Sequence, residues 1–167
     1  LPSEPMEEEA EEDEDVEEIY AGDASYPTVN SWSDALEQVS ATEKLDACLN
    51  IEKAAVSSQP TVTRCSGTRL STISRETRIC NSYGLNLHHR CNLYLTYTDA
   101  IAQEGDSTAT AVAFQSGRDF SEVDPQALGA KAAREAAEAL HGSPVPAGSY
   151  RIILRWDAMQ ALLETFC

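Results

Sequence analysis

Four adjacent residues, His88-His89-Arg90-Cys91, are the densest group of chemically capable side chains in this sequence. Imidazole and thiolate are zinc ligands, and a thiol beside an imidazole is also the pairing of a cysteine nucleophile. The surrounding residues read as a strand, in which neighbouring side chains point to opposite faces. His88 and His89 therefore cannot both reach one metal from a regular strand, and no further ligand stands at a zinc-site spacing. A Cys91–His89 catalytic pair rests on adjacency alone, which is poor evidence for it. Histidines exposed on a strand or loop are the plainer reading. His141, at the end of a helical pattern, complements the helix dipole when protonated.

No other chemistry announces itself. The chain has no GxSxG elbow, no HExxH helix and no GxxxxGK[ST] loop. The reading of the residues is catalytic: none, and metal: none. Two further clusters are candidates for contact with a partner. Asn81-Ser82-Tyr83-Gly84-Leu85 reads as a turn in which Gly84 supplies a positive φ. Gly117-Arg118-Asp119-Phe120 connects a strand to a helix; its plain role is capping and pairing, its sharper one a surface for another subunit. Asn81, Gly84, Gly117, Arg118 and Asp119 are the interface candidates.

The elements that position these residues can be read in outline. Ser40-Ala41-Thr42-Glu43 is a capping box that opens a helix running to about Ser57, before Pro60. Leu45, Cys48, Leu49, Glu52, Ala55 and Val56 form its stripe, apolar except at Glu52. The chain from Thr61 to Ser116 is rich in Thr, Val, Ile, Tyr and Leu. It reads as strands near 61–65, 69–74, 76–81, 85–104 and 107–116. The fourth is long enough to be bent or bulged, and Leu93, Leu95, Tyr97, Asp99 and Ile101 share one mostly apolar face. Gly105-Asp106 is a tight hairpin signal. The short links exclude crossover helices, so the sheet is expected to be an antiparallel meander.

Asp124-Pro125 is a helix start, with Asp as N-cap and Pro at the first helical position. Leu128, Ala132, Ala136, Ala139 and Leu140 give that helix a narrow face of small residues, and Gly142 is expected to cap its end. Tyr150 to Leu154 reads as a short strand and Asp157 as the cap of a final helix. The expected fold class is α+β: an antiparallel sheet of about five strands with flanking helices and a disordered acidic N-terminal arm. The expected divisions are an arm and linker over 1–30, an α+β domain over 31–148, and the start of a following domain over 149–167.

The net charge of −16 over 167 residues is unevenly spread. Residues 1–25 carry twelve Asp or Glu and no base, leaving 16 acids against 12 bases in the remainder. Such a tail repels itself and has too little apolar surface to offset its ordering entropy. The absence of a basic stripe argues against a direct nucleic-acid ligand. No apolar run approaches a membrane span. Five cysteines, odd in number and without a CxxC pair, suit reduced side chains and a cytoplasmic setting. The chain opens on Leu1 and stops at Cys167 within a helical pattern, so it reads as a piece of a longer protein.

The order of these signals resembles one family. Glu43-Lys44-Leu45 and Glu52-Lys53-Ala54-Ala55 come first, then strands and Asn81-Ser82-Tyr83-Gly84-Leu85. A long strand, Gly105-Asp106, Gly117-Arg118-Asp119-Phe120 and Asp124-Pro125 with its Ala-rich helix follow, and Pro146 to Leu154 with Asp157-Ala158 close the series. Over roughly residues 33–167 this is similar to the middle of the PmbA/TldD, or modulator of DNA gyrase, family, and closer to its PmbA (TldE) branch. Each motif is short; their order and spacing carry the resemblance. The acidic tail and His88-His89 depart from the family pattern.

The resemblance implies an intracellular two-subunit metallopeptidase that admits unfolded or extended peptides. One subunit would bear a HExxxH zinc helix, and this chain would belong to its homologous, metal-free partner. It implies no cofactor in this stretch, zinc in the partner subunit, and no catalytic residue here. The expected function is a structural and substrate-admitting part of that subunit. The alternative is a non-catalytic acidic adaptor for a basic partner such as a DNA topoisomerase.

Overall fold

A computed structural model describes residues 19–23 and 25–166, so the acidic run expected to form an arm lies almost wholly outside the described residues. The elements, in order, are α1 (Asp34–Glu37), α2 (Ala41–Ser58), β1 (Val62–Cys80), β2 (Asn86–Glu104) and β3 (Ser107–Gly117). A 3-10 turn (Phe120–Glu122), α3 (Pro125–Ala139) and α4 (Trp156–Leu163) follow. The expected α+β class and antiparallel meander are present, in the order β1-β2-β3.

The described sheet has three strands where about five were expected. The stretches 61–65, 69–74 and 76–81 merge into the single 19-residue β1. Residues 66–68 and 75 stand as breaks between the expected strands. Continuous pairing with β2 overrides them, and the irregularity survives as register shifts between Val62 and Arg64 and between Cys65 and Gly67. Gly105 and Asp106 form the two-residue turn between β2 and β3. Gly105 alone carries a positive φ there, 58°, the sign pattern of a type II′ turn.

Two of the three predicted helix starts hold. Ser40 and Glu43 form the reciprocal capping box of α2, and Asp124 accepts from the backbone of Gln126 and Ala127 to open α3. The buried face of α2 is rotated from the expected stripe: Ala47, Ile51, Ala54 and Ala55 face inward, while Leu45, Leu49 and Val56 are exposed. The reason is proximity. Gly129 of α3 meets α2 so closely that a Cβ on it would lie 2.4 Å from the Ile51 carbonyl oxygen and 2.7 Å from the Ala55 nitrogen. Only small side chains fit at such a crossing, so the larger leucines turn outward. The matching face of α3 is Leu128, Gly129, Ala132, Ala133 and Ala136.

The same logic decides which side of the sheet is covered. Asn92, Tyr94, Thr96, Thr98, Ala100 and Ala102 are buried. The opposite parity, Leu93, Leu95, Tyr97, Asp99 and Ile101, lies on the open face. Helices α2 and α3 thus cover the smaller, more polar side, where Ala100, Ala102 and Ala113 join Ile51, Ala55, Val62 and Leu128 in one core. Full burial of Ile51 stabilises by about 1.5–3 kcal/mol. Thr98 meets the Thr68 hydroxyl at 2.8 Å, whereas the Thr96 hydroxyl is buried without a partner among the described residues.

Three local expectations fail. Tyr150 to Leu154 is not a strand: it pairs with no described strand, and Ile153 there is 92% exposed. Arg155, not Asp157, occupies the N-cap of α4; Asp157 sits inside the first turn and binds the Arg155 guanidinium. Helix α3 ends at Ala139, and Gly142 does not adopt the left-handed conformation of a capping glycine. Helix α4 is tied to the body by the Arg155–Glu135 ion pair at 2.9 Å and by Trp156, 5.0 Å from the Phe114 ring.

Beyond the level of Tyr94, where β3 ends, β1 and β2 continue together as a two-stranded arm. The segment preceding α1 runs along the free side of β2 in this arm. At the tip, Asn81 Nδ2 donates to the Tyr20 carbonyl. At the base, Asn92 N donates to the Ser31 carbonyl at 3.0 Å.

Candidate functional site

The candidate residues fall into two places. Asn81 and Gly84 form the tip of the arm. Asn81 Oδ1 accepts from the backbone of Tyr83 and Leu85 at 3.0 and 3.1 Å, closing the turn, and Gly84 takes φ 91° as expected. Tyr83 is exposed there. Gly117, Arg118 and Asp119 lie at the end of β3, with Gly117 opposite Tyr94. From Asn86 to Tyr94 the strand covers about 25 Å at ~3.3 Å per residue. The structure therefore does not gather the five residues into one site.

The β3 end is the more constructed of the two. Tyr94 is fully buried, and its ring leaves no room for a side chain at position 117: a Cβ there would lie 2.9 Å from the Tyr94 oxygen. Gln115 Nε2 donates to that oxygen at 3.0 Å and to the Glu122 carbonyl at 2.7 Å. Burial, and then the charge of Glu122, push the Tyr94 hydroxyl pKa up, so it stays protonated. Asp119 caps the 3-10 turn by accepting from the Ser121 hydroxyl and backbone. Those hydrogen bonds hold its carboxyl below the usual range, the hydroxyl contributing most.

Two open clefts flank this corner. One, of about 410 Å³, is lined by Asn30, Trp32, Ser33, Ala35, Arg118 and Asp119. The other, of about 470 Å³, involves Leu93, Ser116, Gly117 and Glu122 together with Arg118 and Asp119. Exposed Arg118 and ionised Asp119 thus stand on the rim between them. Such a rim can hydrogen-bond a peptide backbone or a partner's charged side chain. It brings no nucleophile to a base.

The histidines lie apart, as strand alternation requires. His88 Nε2 is 2.7 Å from Glu76, and His89 Nε2 is 3.3 Å from the Ser31 hydroxyl. Cys48, Cys65, Cys80 and Cys91 are free, and burial pushes the Cys48 and Cys65 thiols up, away from nucleophilic character. Among the described residues, no three His, Cys, Asp or Glu side chains converge on one point. No described helix is long and apolar enough to cross a membrane.

Sequence reasoning missed the residues that hold the arm to the body. Asn92 is buried, accepts from Ser33 N and donates to Ser33 O and Glu37 Oε1, each at 2.8 Å. Ser74 also donates to Glu37, and these hydrogen bonds, Asn92's first, hold the Glu37 carboxyl low. The Arg90 guanidinium stacks 3.8 Å above the Trp32 ring. A polar residue on the covered parity of β2 was the only sign of this latch in the sequence.

Residues 34–140 match the profile described as the PmbA/TldA metallopeptidase central domain. The chain belongs to the PmbA/TldD family. No curated protein matches it. Its fold is shared with a Thermotoga maritima protein described as a modulator of DNA gyrase, at 20% identity and a TM-score of 0.73. That likeness covers 79% of this chain and 30% of the other. A Bacteroides thetaiotaomicron protein of the same description follows at 15% identity and 0.65, over 75% and 28% of the two chains. TldE from Thermococcus kodakarensis matches at 17% and 0.57, over 68% and 25%. This PmbA/TldD chain thus spans less than a third of the length of these solved relatives.

Proposed function

We propose that the chain is a structural, substrate-admitting domain of a TldE/PmbA-like subunit in a two-subunit zinc peptidase acting on unfolded or extended peptides. Its membership of the PmbA/TldD family is the observation that carries the reading. The exposed rim of Arg118 and Asp119 is the surface offered to the partner subunit or its peptide. The long β1 edge is the place where an extended peptide can add as a strand. Zinc belongs, on this reading, to a homologous subunit bearing HExxxH, and residues 149–167 begin the domain that follows. The setting is cytoplasmic.

The test is purification of the full-length parent from its native cells, with bound proteins identified by mass spectrometry. A stoichiometric partner with a HExxxH helix is expected, and the pair should degrade an unfolded peptide that neither subunit degrades alone. Recovery of a basic DNA-handling protein in place of such a partner would overturn the proposal in favour of the acidic adaptor.

A further inference from the structure

Strand β1 is an edge strand, hydrogen-bonded only to β2 in the described sheet. Long exposed edges are templates for unwanted pairing, and folded proteins cover or charge them. This one carries four arginines, Arg64, Arg69, Arg75 and Arg78, against the single acid Glu76. All four arginines are exposed, and among the described residues none lies within 4.0 Å of a carboxylate. Glu76 is already engaged by His88. The pairing register places Arg64, Arg69 and Arg75 on the face away from α2 and α3, beside Ile73, Leu95 and Tyr97. Arg78 lies on the other side, bound to neutral Asn86.

The opposite charge is close by in the chain. Residues 4–18 hold eleven Asp or Glu and no base. The described chain begins at Ile19, and the next residue, Tyr20, is bound to Asn81 at the tip of the arm. The acidic run therefore starts where β1 ends. The free side of β2 is already lined by the segment leading to Ser31 and Asn92, whereas no described segment lines the free side of β1. The fifteen residues of the run, extended, reach about 50 Å, and the strand from Arg64 to Arg78 covers about 46 Å. Attachment at the tip gives the run an effective concentration in the millimolar range on this strand.

We propose that the acidic run 4–18 occupies the arginine-bearing edge of β1 in the same molecule, held by charge and displaceable by salt or by a competing strand. The inference is independent of whether the parent belongs to a peptidase. It requires only that the run and the arginines of one chain meet.

The experiment is an amide ¹H–¹⁵N spectrum of the full chain, compared with a full chain whose eleven acids in 4–18 are changed to Gln or Asn. Spectra are taken at 20 mM and at 1 M NaCl. The expected result at low salt is a set of shift differences concentrated between Arg64 and Arg78. These should vanish at 1 M salt, where charges are screened within about 3 Å. They should also fall by at least half in Arg69→Gln/Arg75→Gln, whose exposed positions leave the fold intact. Unchanged β1 shifts at low salt would overturn the proposal. So would differences that grow with protein concentration, because they would place the run on a second copy.

Discussion

The body and the arm share two strands, yet different forces hold them. In the body, α2 and α3 press on alanines and threonines of the sheet, and Gly129 lets the helices touch backbone to backbone. In the arm, residues 74–80 of β1 are all exposed. Its order comes from cross-strand pairing, the segment along β2 and a knot of hydrogen bonds at Asn92. Apolar burial is cooperative and tolerates little change, whereas an exposed ladder can adapt to a partner. The body is the scaffold; on the proposed reading, the arm and the nearby β3 end are the surfaces offered to other molecules.

The contrast predicts a ranking of substitutions. Ile51→Ala should be the most costly, about 2–5 kcal/mol, seen as a lower urea midpoint. Gly129→Ala should follow at about 1–3 kcal/mol, because its Cβ would meet backbone atoms of α2 that cannot move aside. Equal stability of wild type and Gly129→Ala would contradict the close crossing. Asn92→Ala should cost about 1–3 kcal/mol by leaving the Ser33 backbone groups unpaired and removing one of Glu37's donors. Its distinctive mark should be faster amide exchange from Ser31 to Glu37, with α3 unaffected.

Smaller effects belong to the arm. At Gly84 there is room for a Cβ but φ is 91°, so Gly84→Ala should cost about 1 kcal/mol and leave the body's exchange unchanged. Glu37 titrates below its ordinary value of 4.5, so its contribution is present at neutral pH. That contribution is lost as pH falls below about 4.5 through the lowered native value. Exchange in 31–37 should therefore accelerate on acidification before exchange in α3 does, and Glu37→Gln should remove that early step.

Local chemistry was legible in the sequence where neighbours in the chain decide the outcome. The Ser40–Glu43 box, the Asp124-Pro125 start, the Gly105-Asp106 turn and the positive φ of Gly84 are all short-range. The family was legible too, because the order of such signals survives even where each is short. What could not be read depends on contacts made across the fold. Whether Gly67 breaks a strand depends on β2, and whether Leu49 or Ile51 faces inward depends on how close α3 comes. The apolar parity of β2 suggested no side for the helices, and they cover the smaller one. Of the interface candidates, the sequence showed the turn at Asn81 and the corner at Arg118, and not that they lie far apart. The latch at Asn92 left only a polar residue in the strand as its sign, since its partners are about sixty positions away in the chain.

Native-state hydrogen exchange of the full chain across a urea series tests the division of labour most directly. The account predicts that the amides of α3 and of β2 from Tyr94 to Ala102 exchange only by global unfolding, with the full dependence on urea. The paired amides of 74–80 and 86–91 should open at lower free energy, with little dependence on urea. A single free energy and urea dependence shared by both regions would contradict it, and would make the arm as much a part of the core as the helices.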